Sequence, residues 1–530
     1  MKLTVRLGYN DFFKGEKPTI KELLRGGNKL SIITELMGFL GLKEKKEISA
    51  IVNVQSTLRL IEHVMSLEEN ETPHELEENS LIKAYLIVND ELNDHEKTPL
   101  NVELNSKVSH ARFLMPLTIN QYELDGIEPK SRLCSEIAKI KLLQDYFNQN
   151  VELKGLENLF FEKFNIDSWN NYFFKIYRLM TADLVGKQRD SFIVKTDPLT
   201  QEDIDFYEKI QSSDAPIGEY SDFFGIRKRP IIRLNHDEYG VLFLPFLFDK
   251  IYKTTYFELS AIGQEHKNTL GKIGKDFKSN FGKDFFEDRL CKEMLKRAYE
   301  GNKFFTCIEE DKLDSLTDFY VRNDKRIFLF EFKNSTIPKD VKCSYNLEVI
   351  ENSLLEKFDG YIDSKGKIRP KAIMQLTTCI RTIYERYEEN KPKFSFKSID
   401  KFLEKNTPTV YPIVVVQDYC LDAMGINYFL NDRFKSRLDV NGLSEENQKE
   451  RIKNLTIIHI DHLIYLNNAL RDGDIKLHDL IDEYHRATKK GQFGDPISFG
   501  QYLPKYLNSH KKFNTKPDLW KEYLQEFVKN

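Results

Sequence analysis

The sequence predicts a mixed α+β / α/β protein: a helical N-terminal region followed by a mixed sheet flanked by helices. Two observations carry this expectation. Through most of the first 200 residues, apolar side chains recur at three- and four-residue spacing, the period of a helix with one buried face. Beyond residue 300, short continuous apolar runs such as "IFLFEF" and "YPIVVVQ" take over, the pattern of strands covered on both faces.

The segments "SLIKAYLIVNDEL" (80–92), "SEIAKIKLLQDYFNQ" (135–149) and "WNNYFFKIYRLMTADLV" (169–185) read as helices. The acidic break "EENETPHELEEN" (68–79) reads as a solvated loop. This region, 1–200, carries no catalytic constellation and is expected to serve recognition or assembly. Residues 201–270 form a connecting subdomain: "RPIIRLNHDEYGVLFLPF" gives two short strands around a turn, with a helix after them. Residues 271–475 open with a helix containing Glu287, then a hairpin over 318–333 with the turn "RNDKR". After an excursion (334–368), "RPKAIMQLTTCIRTIYERY" reads as a helix with Pro370 in its first turn. Strands are expected at 410–418 and 455–461, and residues 476–530 read as a helical extension.

The net charge of −4, from 79 basic and 83 acidic residues, leaves any nucleic-acid surface to local segregation of charge. One such segregation exists: Lys267, Lys272, Lys275, Lys278 and Lys283 fall within seventeen residues. No apolar run approaches the ~20 residues that span a bilayer, and the start "MKLTVRLGYN" lacks a signal-peptide core. The six cysteines form no C-x-x-C pair. A cytoplasmic protein without a disulfide framework is expected. No phosphate-binding G-x-x-x-x-G-K-[S/T] loop occurs. The cluster His459, Asp461, His462 is a poor transition-metal set, because on a strand His462 would point away from the other two.

The apolar run "IFLFEFK" ends on two opposite charges. A period of two puts Ile327, Leu329, Glu331 and Lys333 on one face, with Phe328, Phe330 and Phe332 on the other. Burying either charge unpaired is costly. Asp318, on the partner strand, can approach Glu331, and two converging carboxylates suit a hard divalent cation that assists phosphodiester hydrolysis. The bland alternative is a surface ion pair at a strand end, worth little. The E-x-K triplet alone is uninformative, since Glu44-Lys45-Lys46, Glu152-Leu153-Lys154 and Glu310-Asp311-Lys312 match it too.

Asp318, Glu331-Phe332-Lys333 thirteen residues later, and a preceding helix with Glu287 together resemble the PD-(D/E)XK nuclease superfamily over about residues 275–475. The resemblance implies a restriction-endonuclease-like core of order α-β-β-β-α-β. It implies Mg²⁺, with Mn²⁺ able to substitute, held by Asp318, Glu331 and Glu287, while Lys333 assists the attacking water. Many members carry a Gln on the following helix, which maps to Gln375. Thr317 stands where Pro is usual, and Cys379 where a Gln-x-x-x-Tyr helix has Tyr. The implied activity is Mg²⁺-dependent nucleic-acid cleavage, DNA favoured over RNA, with anti-phage defence as the role by analogy. Lys272, Lys275, Lys278 and Lys283 would track phosphates. A homo-oligomer or a partner protein would use the N-terminal region. The alternative is a catalytically silent protein of the same fold that binds nucleic acid or a partner.

Overall fold

The run Ile-Phe-Leu-Phe-Glu-Phe is the central strand of a five-stranded mixed sheet, and the architecture follows from what covers it. The computed structural model describes residues 6–41, 50–68, 75–77, 79–96, 106–125, 129–185, 193–195, 199–212, 222–236, 238–309, 317–384, 399–440, 450–489, 495–510 and 525. The triplets at Glu44 and Glu310, and much of the acidic break 68–79, lie outside the described residues. The chain forms two compact units. One is made of Lys2–Thr98 and Glu136–Ser279, the other of Pro99–Ser135 and Asn280–Glu522. The expected boundaries at 200 and 475 do not coincide with this grouping, whereas the one near 270 lies close to Ser279. Among the described residues no helix is long and apolar enough to cross a membrane.

In the first unit the expected helices form at Ser80–Glu96, Glu136–Gln149 (the part of Pro129–Gln149 that belongs here) and Trp169–Val185. Aromatic side chains fill the space between helices: Phe160, Trp169 and Tyr172 lie 5.0–6.4 Å apart, centroid to centroid. The charged pair Lys175–Asp203 is buried at 2.7 Å, each partner satisfying the other. A small antiparallel sheet contains β1 (Ile193–Lys195), β2 (Ile231–Asn235) and β3 (Glu238–Val241), in the order β1-β3-β2. β2 and β3 are the expected strand pair. The turn is shorter than "NHDEYG" suggests, and its Asp237 lies outside the described residues.

In the second unit the sheet contains β4 (Phe305–Glu309), β5 (Phe319–Asn323), β6 (Arg326–Lys333), β9 (Thr409–Val416) and β10 (Thr456–His459). The order is β10-β9-β6-β5-β4. β4, β5 and β6 form an antiparallel meander; β6, β9 and β10 run parallel. A two-residue turn joins β5 to β6 through Asp324, at φ 51°, a conformation short polar residues tolerate. The crossovers from β6 to β9 and from β9 to β10 step in one direction. Crossovers of one hand then place their helices on one face. Accordingly Ala372–Tyr384 and Ile426–Val440 share a single core with Ile327, Leu329 and Val414, which Met115 of the helix Lys107–Thr118 and Ile119 at its C-terminal cap complete. Phe328 alternates to the other face and stacks on Tyr411 at 5.1 Å.

Three details differ from the sequence expectation. β4 was not foreseen as a separate strand: Phe305–Glu309 is a half-buried edge strand with mixed composition. Pro370 does not open a helix. It ends β8 (Ile368–Pro370), paired with β7 (Gly360–Ile362), and the helix begins at Ala372. The strand expected to reach residue 461 stops at His459, whose Nδ1 accepts the Asp461 N–H at 3.2 Å and starts the helix Ile460–Arg471. His459, Asp461 and His462 thus occupy a strand end and a helix. The His459 and His462 rings lie 6.0 Å apart, but Nε2 of His462 pairs with Asp422 at 2.9 Å and Nε2 of His459 with the Gln417 carbonyl at 2.6 Å.

The hairpin is tied down by Asp400. Its carboxylate accepts Tyr320 Oη at 2.8 Å and Arg322 Nε at 2.5 Å, all three side chains being largely buried. Asp400→Ala would strand a hydroxyl and a guanidinium, so it should cost about 3 kcal/mol or more. A urea midpoint unchanged from wild type would refute this anchoring role.

Candidate metal-assisted hydrolytic site

The site arises where the hairpin ends unevenly. β5 begins pairing at Phe319, opposite Phe330, whereas β6 continues to Lys333 beside β9, with Glu331 opposite Val414 and Lys333 opposite Val416. Glu331, Phe332 and Lys333 therefore lack a strand partner on one side. Thr317 and Asp318 take that place. Thr317 Oγ1 donates to the Phe330 carbonyl at 2.9 Å, and Asp318 N donates to the same carbonyl at 3.2 Å. The Asp318 carboxylate accepts the Phe332 N–H at 2.5 Å. Side chain thus replaces strand as the ladder partner, and Asp318 is fixed beside Glu331.

Glu331 is fully buried, with 0 % of its surface exposed. Its Oε2 accepts from Lys333 Nζ at 3.2 Å, while Oε1 has no hydrogen-bond partner. Lys333 also donates to Gln375 Oε1 at 3.3 Å, so the helix Ala372–Tyr384 holds the ammonium from above the sheet. Burial, then the Asp318 carboxylate, pushes the Glu331 carboxyl well above the usual range, Glu287 adding to the rise and Lys333 opposing it. Burial acts to depress the Lys333 ammonium, but Glu331, Asp318 and Glu287 outweigh it and its proton is held more tightly than usual.

Glu287 reaches this group from an unusual backbone. Phe281–Cys291 is a π-helix that runs into the helix Lys292–Tyr299, and the Lys292 N–H bonds to the Glu287 carbonyl five residues back. Long π segments are rare and recur at functional sites. The segment approaches β6 closely: a Cβ on Gly282 would sit 3.0 Å from Asn334 Nδ2. Cys291 and Cys379 are buried beside the carboxylates. Burial, then Glu287 and Asp318, pushes the Cys291 thiol well up; burial and Glu331 do the same at Cys379.

All five residues expected at the site, Asp318, Glu331, Lys333, Glu287 and Gln375, are thus linked by hydrogen bonds or by their charges. The lysines divide. Lys283 is exposed on the π-helix, in the same unit as the carboxylates, while Lys272, Lys275 and Lys278 are exposed on the helix Lys272–Asn280, within the other unit. Lys371 was overlooked: burial and the charge of Lys333 depress its ammonium. It stands just before the helix that carries Gln375, whose N–H donates to the Lys371 carbonyl at 2.8 Å.

The donors suit a hard cation. They are oxygens, one buried carboxylate oxygen has no partner, and Mg²⁺ usually takes only one or two carboxylates, keeping waters or phosphate oxygens for the rest. Glu287, Asp318 and Glu331 do not bring three ligand atoms within 4.8 Å of one another. Among the described residues the set that does is Glu123, Asp418 and Cys420. There, Asp418 already accepts the Ile337 and Cys420 N–H groups at 2.9 and 3.1 Å, and Glu123 pairs with Lys342 at 3.4 Å. That set ties together a turn.

The raised Glu331 carboxyl has a pH signature. A group whose folded pKa exceeds its unfolded value of about 4.5 stabilises the fold fully below that value and loses its contribution as pH rises toward the folded one. In EDTA, wild type should therefore lose stability relative to Glu331→Gln as pH rises above about 5, at up to about 1.4 kcal/mol per pH unit. Denaturant titrations of both proteins across that range check it; a difference independent of pH would contradict the assignment.

No family model, curated protein or solved structure matches the chain, so the chemistry of the site rests on its own residues.

Proposed function

We propose that the unit containing the five-stranded sheet is a metal-dependent nuclease of the PD-(D/E)XK type, cleaving phosphodiester bonds in DNA in preference to RNA. The observation that carries the reading is Glu331: a fully buried carboxylate, set against a second carboxylate, with one oxygen unpartnered. A purely structural strand end has no use for that cost. The chain order supports it as well. A helix (Lys292–Tyr299), three antiparallel strands (β4, β5, β6) and, after an insertion with the helix Leu347–Phe358 and the β7–β8 pair, a helix (Ala372–Tyr384) and a parallel strand (β9) are compatible with the α-β-β-β-α-β order of that family.

Asp318 and Glu331 would hold Mg²⁺ or Mn²⁺, with Glu287 joining from the π-helix. When bound, the ion supplies charge to offset the phosphate and lowers the pKa of water. Lys333, positioned by Glu331 and Gln375, keeps its proton. It therefore serves as a hydrogen-bond donor that orients the attacking water or a phosphate oxygen, and not as a general base. Lys283 would contact the backbone phosphates of the substrate, and Lys272, Lys275 and Lys278 would offer a separate basic face on the other unit.

The purified chain should cut plasmid or linear DNA with Mg²⁺ or Mn²⁺, stop in EDTA, and bind without appreciable cutting in Ca²⁺. Asp318→Ala and Glu331→Ala should abolish cleavage, and Lys333→Ala should slow it about 100-fold or more. Glu287→Gln should fall between these variants and wild type, and Gln375→Ala should cost about tenfold. Gel assays on duplex DNA, single-stranded DNA and RNA check all of these. Full activity in EDTA, or active Glu331→Ala and Lys333→Ala proteins, would end the nuclease reading. Tight binding without cleavage of any substrate would favour the silent module instead.

A further inference from the structure

The first unit, Lys2–Thr98 with Glu136–Ser279, contains a cavity of about 330 Å³ whose lining includes Lys163, Lys209, Lys228, Arg229 and Lys250 against two carboxylates, Glu208 and Glu258. The carboxylates are largely committed. Glu208 pairs with Arg233 at 3.0 Å and accepts the Tyr239 hydroxyl at 2.7 Å; Glu258 pairs with Lys163 at 2.6 Å. Among the described residues, no carboxylate pairs directly with Lys209, Lys228, Arg229 or Lys250.

Lys250 is the telling member. Its side chain is 1 % exposed, yet an ammonium with three donors makes one hydrogen bond, at 3.3 Å to the Lys228 carbonyl. Its Nζ lies 5.4 Å from the centroid of the Phe164 ring. Burial depresses it to about 8; Glu258 opposes this, and Lys163, Lys228 and Arg229 add to it. Glu258 supplies the opposing charge, but its carboxylate is already paired with Lys163, so the cations around Lys250 outnumber the anions and a further anion would offset the burial.

We propose that this cavity is a binding site for a small phosphate-bearing ligand, whose dianionic oxygens would meet Lys250 at the base and Lys228 and Arg229 at the rim. Its volume is at the lower end for small-molecule sites, enough for a phosphate and part of what it is attached to. The cations supply the charge-assisted hydrogen bonds that oxyanions favour. The site is independent of the nuclease reading, because none of its residues belongs to the sheet that carries Glu331.

The test uses the full chain in EDTA, at constant ionic strength set with chloride. It is titrated with inorganic phosphate, a nucleoside 5′-monophosphate and a 5′-phosphorylated oligonucleotide, and read by calorimetry and by melting temperature. At least one probe should bind, and Lys250→Met and Arg229→Ala should each weaken it about tenfold or more. Without ligand, Lys250→Met should melt at or above the wild-type temperature, because it removes a buried charge while keeping the volume. The tightest probe tells a free oxyanion from a nucleotide or the end of a nucleic-acid strand. If no probe raises the melting temperature beyond chloride alone, or if both variants bind as wild type does, the proposal fails.

Discussion

β5 and β6 do not end together. β5 stops opposite Phe330, and β6 runs on to Lys333 with only β9 beside it. An interior strand with one unpaired flank needs another source of hydrogen bonds for its backbone. Asp318 supplies one, through its carboxylate to the Phe332 N–H. The same contact that completes the ladder places one carboxylate next to another. Architecture and electrostatics are thus set by a single mismatch in strand length.

The remaining parts respond to the charge concentrated there. Lys333 bridges Glu331 and Gln375, and the helix that carries Gln375 is held over the sheet by Ile373, Leu376 and Ile380 in the shared core. The π-helix brings a third carboxylate near, at the expense of regular helical hydrogen bonding. Two thiols lie buried on the flanking helices, both pushed toward the neutral form by burial and these anions. The neighbouring carboxylates repel one another, and with burial they raise the Glu331 carboxyl.

Much of this was legible in the sequence because it depends on short-range periodicity. The alternation Ile327, Leu329, Glu331, Lys333 fixes a face regardless of tertiary detail, and the hairpin turn fixes the partner strand. Gln375 was singled out by the family resemblance alone, since nothing in the helix's own periodicity marks it. β4 was not, because an edge strand needs apolar residues on little of its surface, and "FTCIE" reads equally as a loop. The end of β10 was missed because His459 looks like one more strand residue until its ring nitrogen is seen capping a helix. Least legible was the membership of Pro99–Ser135 in the same unit as Asn280–Glu522, since nothing local to Met115 or Ile119 announces which distant surface they cover.

That membership has a bearing on biosynthesis. The helix Lys107–Thr118 leaves the ribosome well before β4, with residues 136–279 synthesised in between. At translation rates of about 5–20 residues per second, Met115 and Ile119 wait roughly tens of seconds for the sheet that buries them. During that interval the nascent chain carries an apolar helix with no native surface to meet, which is the state that chaperones shelter and aggregation exploits. The intervening unit can complete its fold only once Ser279 has emerged, so the unit that holds the five-stranded sheet is assembled last, around a piece made early.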